Sequence, residues 1–176
     1  MKIEKPLINK VARSGLKTIN LEKFFPNVQL ASFDLKDYLF MELILKEKDF
    51  RTALKEHDWT QYEGKVLCVF CSTDAIIPTW AYMLVTSYAT PYADKVVQCD
   101  KETFIKLAYQ EILGNLDVSQ YTDQRIVIKG CSNKPVPVSA YVELTRLLRP
   151  IAKSIMYGEP CSTVPIYKKP RIVKNR

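Results

Sequence analysis

The sequence predicts an α/β fold, a mainly parallel sheet flanked by helices, and three observations carry that expectation. Short apolar runs such as Lys65 to Phe70 and Arg125 to Lys129 have the composition of strands buried on both faces, as parallel strands are. Amphipathic stretches of about ten to fifteen residues separate them, the spacing of β-α-β crossovers. The stretch Gln61 to Leu84, QYEGKVLCVFCSTDAIIPTWAYML, also returns as Gln120 to Leu144, QYTDQRIVIKGCSNKPVPVSAYVEL. Gln61-Tyr62 matches Gln120-Tyr121, Cys71-Ser72 matches Cys131-Ser132, Pro78 matches Pro137, and Ala81-Tyr82 matches Ala140-Tyr141. The expected architecture is therefore built around two repeated units, 61–92 and 120–151, each a strand, a Cys-Ser loop and a helix.

A chain of 176 residues with 47% hydrophobic content suits one domain with a sizeable core, taken as residues 1–167. From Pro6 to Pro26 a short helix and an extended piece are expected around the break at Ser14-Gly15. Val28 to Leu35 reads as a strand, and Asp37 to Leu45 as a strand or a buried helix. Phe50, Ala53, Leu54 and His57 recur at helical spacing, so Lys46 to Asp58 is an amphipathic helix. In the first repeat the strand ends at Cys71. The capping residues Ser72, Thr73 and Asp74 and then Pro78 start a helix that runs to Thr90. Val96 to Cys99 is a further strand, and Asp100 caps a helix with Phe104, Leu107, Ala108 and Ile112 inward, stopped by Gly114. The second repeat adds the strand Arg125 to Lys129 and a helix from Pro137, kinked or ended by Pro150. Pro160, Pro165 and Pro170 make the segment from Gly158 an extended surface arm.

No apolar stretch reaches the roughly 18 residues of a membrane helix and no signal peptide is visible, so a soluble, cytoplasmic protein is expected. The net charge of +7 is concentrated at the end: residues 168–176, KKPRIVKNR, hold five basic and no acidic residues. A near-balanced body with a basic tail makes nucleic acid an unfavoured partner. Oligomeric state is not encoded in any pattern here.

Five cysteines in a cytosol-type chain argue against a disulfide framework. Three of them precede serine: Cys71, Cys131 and, in GEPCSTVP, Cys161. The first two fall where a parallel strand ends, the edge at which open α/β sheets bind ligands, and a following helix N-terminus would favour thiolate. If their strands are neighbours, the arm can bring Cys161 to the same edge. Three thiolates plus a fourth group, with Asp74, Glu159, His57 or water as candidates, suit zinc or an iron–sulfur cluster. Two other readings stay open: a reactive or sulfur-carrying thiol at Cys71 or Cys131, and a non-catalytic interaction module whose thiols only pack. Cys68 and Cys71 form a CxxC, but an extended strand holds their Cα atoms about 10 Å apart, beyond disulfide reach. Cys68 and Cys99 therefore read as buried thiols.

A cysteine phosphatase loop would carry arginine six residues on, where Ile77, Pro137 and Tyr167 stand, and no P-loop or GxGxxG occurs. His57, on an apolar stripe, reads as a core histidine. Trp80, Tyr82, Tyr141 and Tyr157 near the loops are candidates to line a pocket.

The segments VARSGLKTI, KDFRTALKEHDW, CSTDAIIPTWAYML, IKGCSNKPVPVSAYVELT and MYGEPCSTVPIYK resemble domain of unknown function 2480, a bacterial family, over nearly the whole chain. The resemblance brings no activity. It implies a setting beside iron–sulfur assembly proteins as partners, and so a cluster, metal or sulfur role for Cys71, Cys131 and Cys161.

Overall fold

In the computed structural model, residues 15–130 and 133–170 are described. They form a mixed α/β structure with two sheets of mostly parallel strands and four helices. The chain divides into two compact units, one made of residues 1–25 and 108–176, the other of residues 26–107.

The second unit holds a sheet of three parallel strands in the order β2-β3-β4, from β2 (Gln29–Asp34), β3 (Lys65–Phe70) and β4 (Lys95–Gln98). Val66, Leu67, Cys68 and Val69 of β3 are all buried, so the central strand is covered on both faces as its unalternating sequence requires. Helix α1 (Glu47–Glu56) buries Phe50 and Leu54, and α2 (Thr79–Ala89) buries Ala81, Val85 and Ala89. These join Phe33, Leu35, Leu45, Trp59, Tyr62, Leu67 and Val69 in one apolar cluster. Helix α3 (Lys101–Gly114), whose start is capped by the Asp100 carboxylate accepting the Thr103 amide at 2.7 Å, runs across the boundary between the units.

The first unit holds a four-stranded sheet in the order β1-β5-β6-β7, from β1 (Leu16–Asn20), β5 (Arg125–Lys129), β6 (Ser154–Glu159) and β7 (Ser162–Lys168). β1, β5 and β6 are parallel, and β7 returns antiparallel to β6. Helix α4 (Val138–Leu148) buries Ala140, Leu144 and Leu148.

Several expectations are corrected. Asp37 to Leu45 is neither strand nor buried helix. A 3₁₀ turn over Leu35–Tyr38 leads into a tight turn closed by a Phe40–Ile44 bridge, with Phe40, Met41, Leu43 and Ile44 exposed. Tyr38, stacked on Phe33 at 5.0 Å, and the buried Leu45 take the inward positions, so the residues between them loop out. In α3 the buried row is Phe104, Tyr109 and Leu113, while Leu107 faces solvent, because the Tyr109 hydroxyl donates to the Leu21 carbonyl at 3.0 Å and holds that row inward. Ahead of β1 the helix expected near Pro6 lies outside the described residues, and the segment after β1 is a 3₁₀ turn, Leu21–Phe24. The arm from Gly158 is extended and mostly exposed, and what the prolines hid is that it is paired, as the turn and return strand of a β-hairpin. Pro160 stands in its turn and Pro165 on an edge strand, two places where a missing N–H costs no ladder bond.

Gly158 decides whether this hairpin closes. Its φ is +115°, and a Cβ there would sit 2.6 Å from the Ser162 carbonyl oxygen. Gly158→Ala should cost about 1–3 kcal/mol in chemical denaturation. Gly114→Ala, where nothing lies within 4 Å, should be neutral or stabilising by up to about 1 kcal/mol.

Candidate thiol sites at the strand ends

β2 and β3 run parallel with Asp34 opposite Phe70, so their carboxyl ends leave the sheet together. The Asp34 side chain caps the 3₁₀ turn by accepting the Lys36 amide at 3.0 Å, and the same Oδ1 accepts the Ser72 amide at 3.0 Å. Burial pushes the Asp34 carboxyl up, but the bonds from the Ser72 hydroxyl and from the Lys36 and Ser72 amides, with the Lys36 charge, outweigh it and hold the carboxyl below its ordinary range. The Cys71-Ser72 loop is thus tied to the neighbouring strand by a carboxylate. Cys71 itself is half-buried, with Sγ 3.2 Å from the Thr73 hydroxyl. Tyr82 of α2 lies within electrostatic range of both, and its hydroxyl is pushed up by burial first and then by the nearby Cys71 and Asp34.

The expected helix N-terminus does not follow Cys71 directly. α2 begins at Thr79 with Pro78 as the capping residue, and Ser72, Thr73 and Asp74 do not cap it. Proline fixes the start at its own position, since it supplies the helical φ and needs no N–H there. Asp74 is exposed. Trp80 packs inward, its ring 6.2 Å from Phe50.

His57 stands apart from this edge, at the end of α1 in an aromatic box. Its Nδ1 is 3.3 Å from the Tyr38 hydroxyl and its Nε2 is 2.9 Å from the Tyr62 hydroxyl, with Phe33, Trp59 and Tyr62 rings around it. Burial lowers its affinity for a proton, partly offset by Asp58. Burial, aided by Tyr38 and Asp58, pushes Tyr62 up to about 12.

In the first unit, β5 ends at Lys129 and the described chain continues to Gly130; Cys131 and Ser132 lie outside the described residues. Gly130 has φ +155°, and a Cβ on it would meet Leu21 Cβ at 2.9 Å and the Tyr141 hydroxyl at 3.1 Å, so only glycine passes there without displacing a neighbour. The Asn133 amide donates to Glu22 Oε1 at 2.8 Å. A carboxylate that follows the neighbouring parallel strand therefore holds this loop as well. Burial, with Tyr141 and Glu22 nearby, pushes the Tyr109 hydroxyl up to about 12.

Cys161 is exposed in the two-residue turn between β6 and β7. Glu159 at the base of that turn is taken by Lys129, its oxygens 3.0 and 2.9 Å from Nζ. Tyr141 and Tyr157, rings 5.7 Å apart, line an apolar cleft of about 490 Å³ with Ile128, Val138, Val142, Thr145, Met156 and Ile166.

The strands that carry Cys71 and Cys131 are not neighbours: β3 lies in the three-stranded sheet and β5 in the four-stranded one. A similar turn of sequence does not make two strands pair, because pairing follows from which crossover each strand belongs to. Among the described residues, no three His, Cys, Asp or Glu side chains are gathered so that they could hold a metal ion. Cys68 and Cys99, in contrast to Cys71 and Cys161, are buried; burial and the adjacent Cys99 push the Cys68 thiol up to about 11, and burial with Asp100 raises Cys99. None of the four described cysteines is in a disulfide.

Asp34 and Glu22, which anchor the loops, match no functional motif in the sequence. Their signal is the pair Asn20-Leu21 and Asp34-Leu35, each a capping side chain followed by a fully buried leucine at a strand end.

These features define a two-sheet α/β protein that presents reachable thiols at strand ends and turns. The chain belongs to the family described as protein of unknown function DUF2480, whose model matches residues 5–169. No curated protein and no solved structure matches it. No helix among the described residues is long and apolar enough to cross a membrane.

Two measurements check the local chemistry. Asp34→Ala should lower stability by about 1–2 kcal/mol and speed hydrogen exchange at the Ser72 amide. Because the His57 proton affinity is lowered in the fold, the unfolded chain binds the proton more tightly. Its contribution to stability is therefore present above pH 6.5, the ordinary histidine value, and is lost as pH falls below it. The denaturation midpoint of the wild type should drop more between pH 7.5 and 5.5 than that of His57→Gln, the pH values bracketing the free histidine at about 6.5.

Proposed function

We propose that this protein is a metal- or iron–sulfur-cluster-binding accessory protein whose working groups are the thiols of its three Cys-Ser dipeptides, Cys71, Cys131 and Cys161. The observation that supports this most is the division of the thiols. Cys68 and Cys99, which lack the following serine, are buried and hard to deprotonate, whereas Cys71 is half-buried and Cys161 exposed. A reachable thiol is what ligation requires, since the thiolate is the ligand.

The donor chemistry fits zinc or a cluster, both of which favour sulfur ligands. Cys131 follows the end of β5, and β6, its neighbour, runs into the turn that carries Cys161, so these two are the first pair to consider. Cys71 belongs to the other unit, where it follows β3. For the fourth position Asp74 or water is preferred, because Glu159 already pairs with Lys129 and both nitrogens of His57 have partners. In this reading the two Cys-Ser segments are copies of one unit, the protein is cytoplasmic, and its partners are iron–sulfur assembly proteins.

A second reading, a thiol-dependent enzyme or sulfur carrier working through Cys71, draws on a different observation. The Cys71 sulfur has the Thr73 hydroxyl at 3.2 Å, and its loop is fixed by Asp34.

Anaerobically purified protein should carry close to one equivalent of metal per chain, lost in Cys131→Ser; below about one-tenth of an equivalent in the wild type, the ligation reading fails. Iodoacetamide mapping separates the alternatives. Cys71 and Cys161 should be modified in the native protein and Cys68 and Cys99 only after denaturation. If Cys71 in metal-free protein reacts no faster than free cysteine, the nucleophile reading is lost.

A further inference from the structure

We propose a binding site for a nucleoside polyphosphate at the opposite edge of the four-stranded sheet, where β1, β5 and β6 begin and β7 ends. A cleft of about 610 Å³ lies there, lined by Leu16, Arg125, Lys153, Ser154, Met156, Pro165, Tyr167, Lys168 and Lys169. Among the described residues, four cations line it and no carboxylate does. Asp123 neutralises Lys169 at 2.9 Å, but among the described residues no carboxylate lies within ion-pair distance of Arg125, Lys153 or Lys168. Like charges gathered without counter-charges repel one another, and an anion that enters relieves the repulsion.

The backbone beneath these side chains is fixed. The Lys153 and Ser154 amides both donate to the Gln124 carbonyl, at 2.9 and 3.3 Å, and the Lys169 amide donates to the Lys153 carbonyl at 2.9 Å. The cations are therefore held on hydrogen-bonded strand ends, which lowers the cost of assembling them around a ligand. Outside the lining, the Arg149 guanidinium lies 3.7 Å from the centre of the Tyr167 ring.

The lining specifies more than an anion. Leu16, Met156, Pro165 and Tyr167 provide an apolar wall beside the cations, which suits a molecule with a planar, weakly polar part joined to several phosphates. The volume is that of a small-molecule site. A groove that tracks single-stranded nucleic acid carries successive aromatic rings along its path, and this cleft has one. Among the described residues, none of the loop 71–78, the loop 133–137 or the turn 160–161 lines the cleft, so the site is argued without the groups of the proposed ligation. No phosphate-binding motif marks it in the sequence, because its cations come from three separate stretches.

Calorimetric titration with ATP, with inorganic tripolyphosphate and with a single-stranded oligonucleotide tests the proposal. ATP should bind, and Arg125→Gln/Lys153→Gln, two exposed positions, should weaken it by about tenfold or more, the equivalent of one or two charge-assisted contacts. Lys55→Gln, on α1, should leave it unchanged. Tyr167→Leu should weaken ATP and leave tripolyphosphate as it was. Absence of ATP binding at millimolar concentration overturns the site. Equal affinity for ATP and tripolyphosphate overturns the nucleoside part, and tighter, length-dependent binding of the oligonucleotide overturns the small-molecule reading in favour of nucleic acid.

Discussion

The loops that carry the reactive-looking residues are held by carboxylates from adjacent strands. Asp34 accepts the Ser72 amide and Glu22 accepts the Asn133 amide, each across to the next parallel strand. Where a parallel strand ends, its backbone loses ladder partners, and every amide in the turn needs another acceptor. A side chain on the neighbouring strand end satisfies that need and fixes the loop in one step. The local order of both sheet edges, and the position of Cys71 beside Thr73, depends on these bonds. They join residues far apart in sequence, so they also lock strand register, which in a parallel sheet no tight turn can set.

Packing divides the cysteines by a simple rule. β3 is covered on both faces, and a thiol inside it, Cys68, is small and apolar enough to fill core space. Its neighbour Cys99 completes the same environment: burial and then Cys99 raise the cost of ionising Cys68, and burial and then Asp100 raise that of Cys99. Three residues beyond Cys68 the strand has ended, and Cys71 is in a different chemical setting. A CxxC in sequence is here one core residue and one edge residue.

The parallel strands and helices were legible because their signals are local. Lys65–Phe70 and Arg125–Lys129 are continuous apolar runs, and Pro78 and Pro137 mark helix starts. The sheet partnerships were not legible. Nothing in Cys71-Ser72 or Cys131-Ser132 tells that β3 pairs with β2 and β4 while β5 pairs with β1 and β6, because that outcome is set by packing across the whole chain. The hairpin at Gly158 was hidden by its prolines, which read as breaks although an edge strand tolerates them. The apolar Phe40–Ile44 turn misled for the opposite reason: composition suggests burial, but the core positions on either side are already filled. Among the loop residues, Cys71 and Cys161 stand out in the sequence by their shared serine, while Asp34 and Glu22 do not, because their role is exercised across strands.

The order of the two units along the chain has a bearing on synthesis. Every strand of the three-stranded sheet lies within residues 26–107, so that unit has all its partners once this segment has emerged. β1 is made before that unit, yet its partner is β5, with Leu16 opposite Arg125. It must wait, unpaired, while an entire second unit is translated. The strand is short and carries Lys17, and a short, charged strand is a poor template for pairing with another chain in the interval.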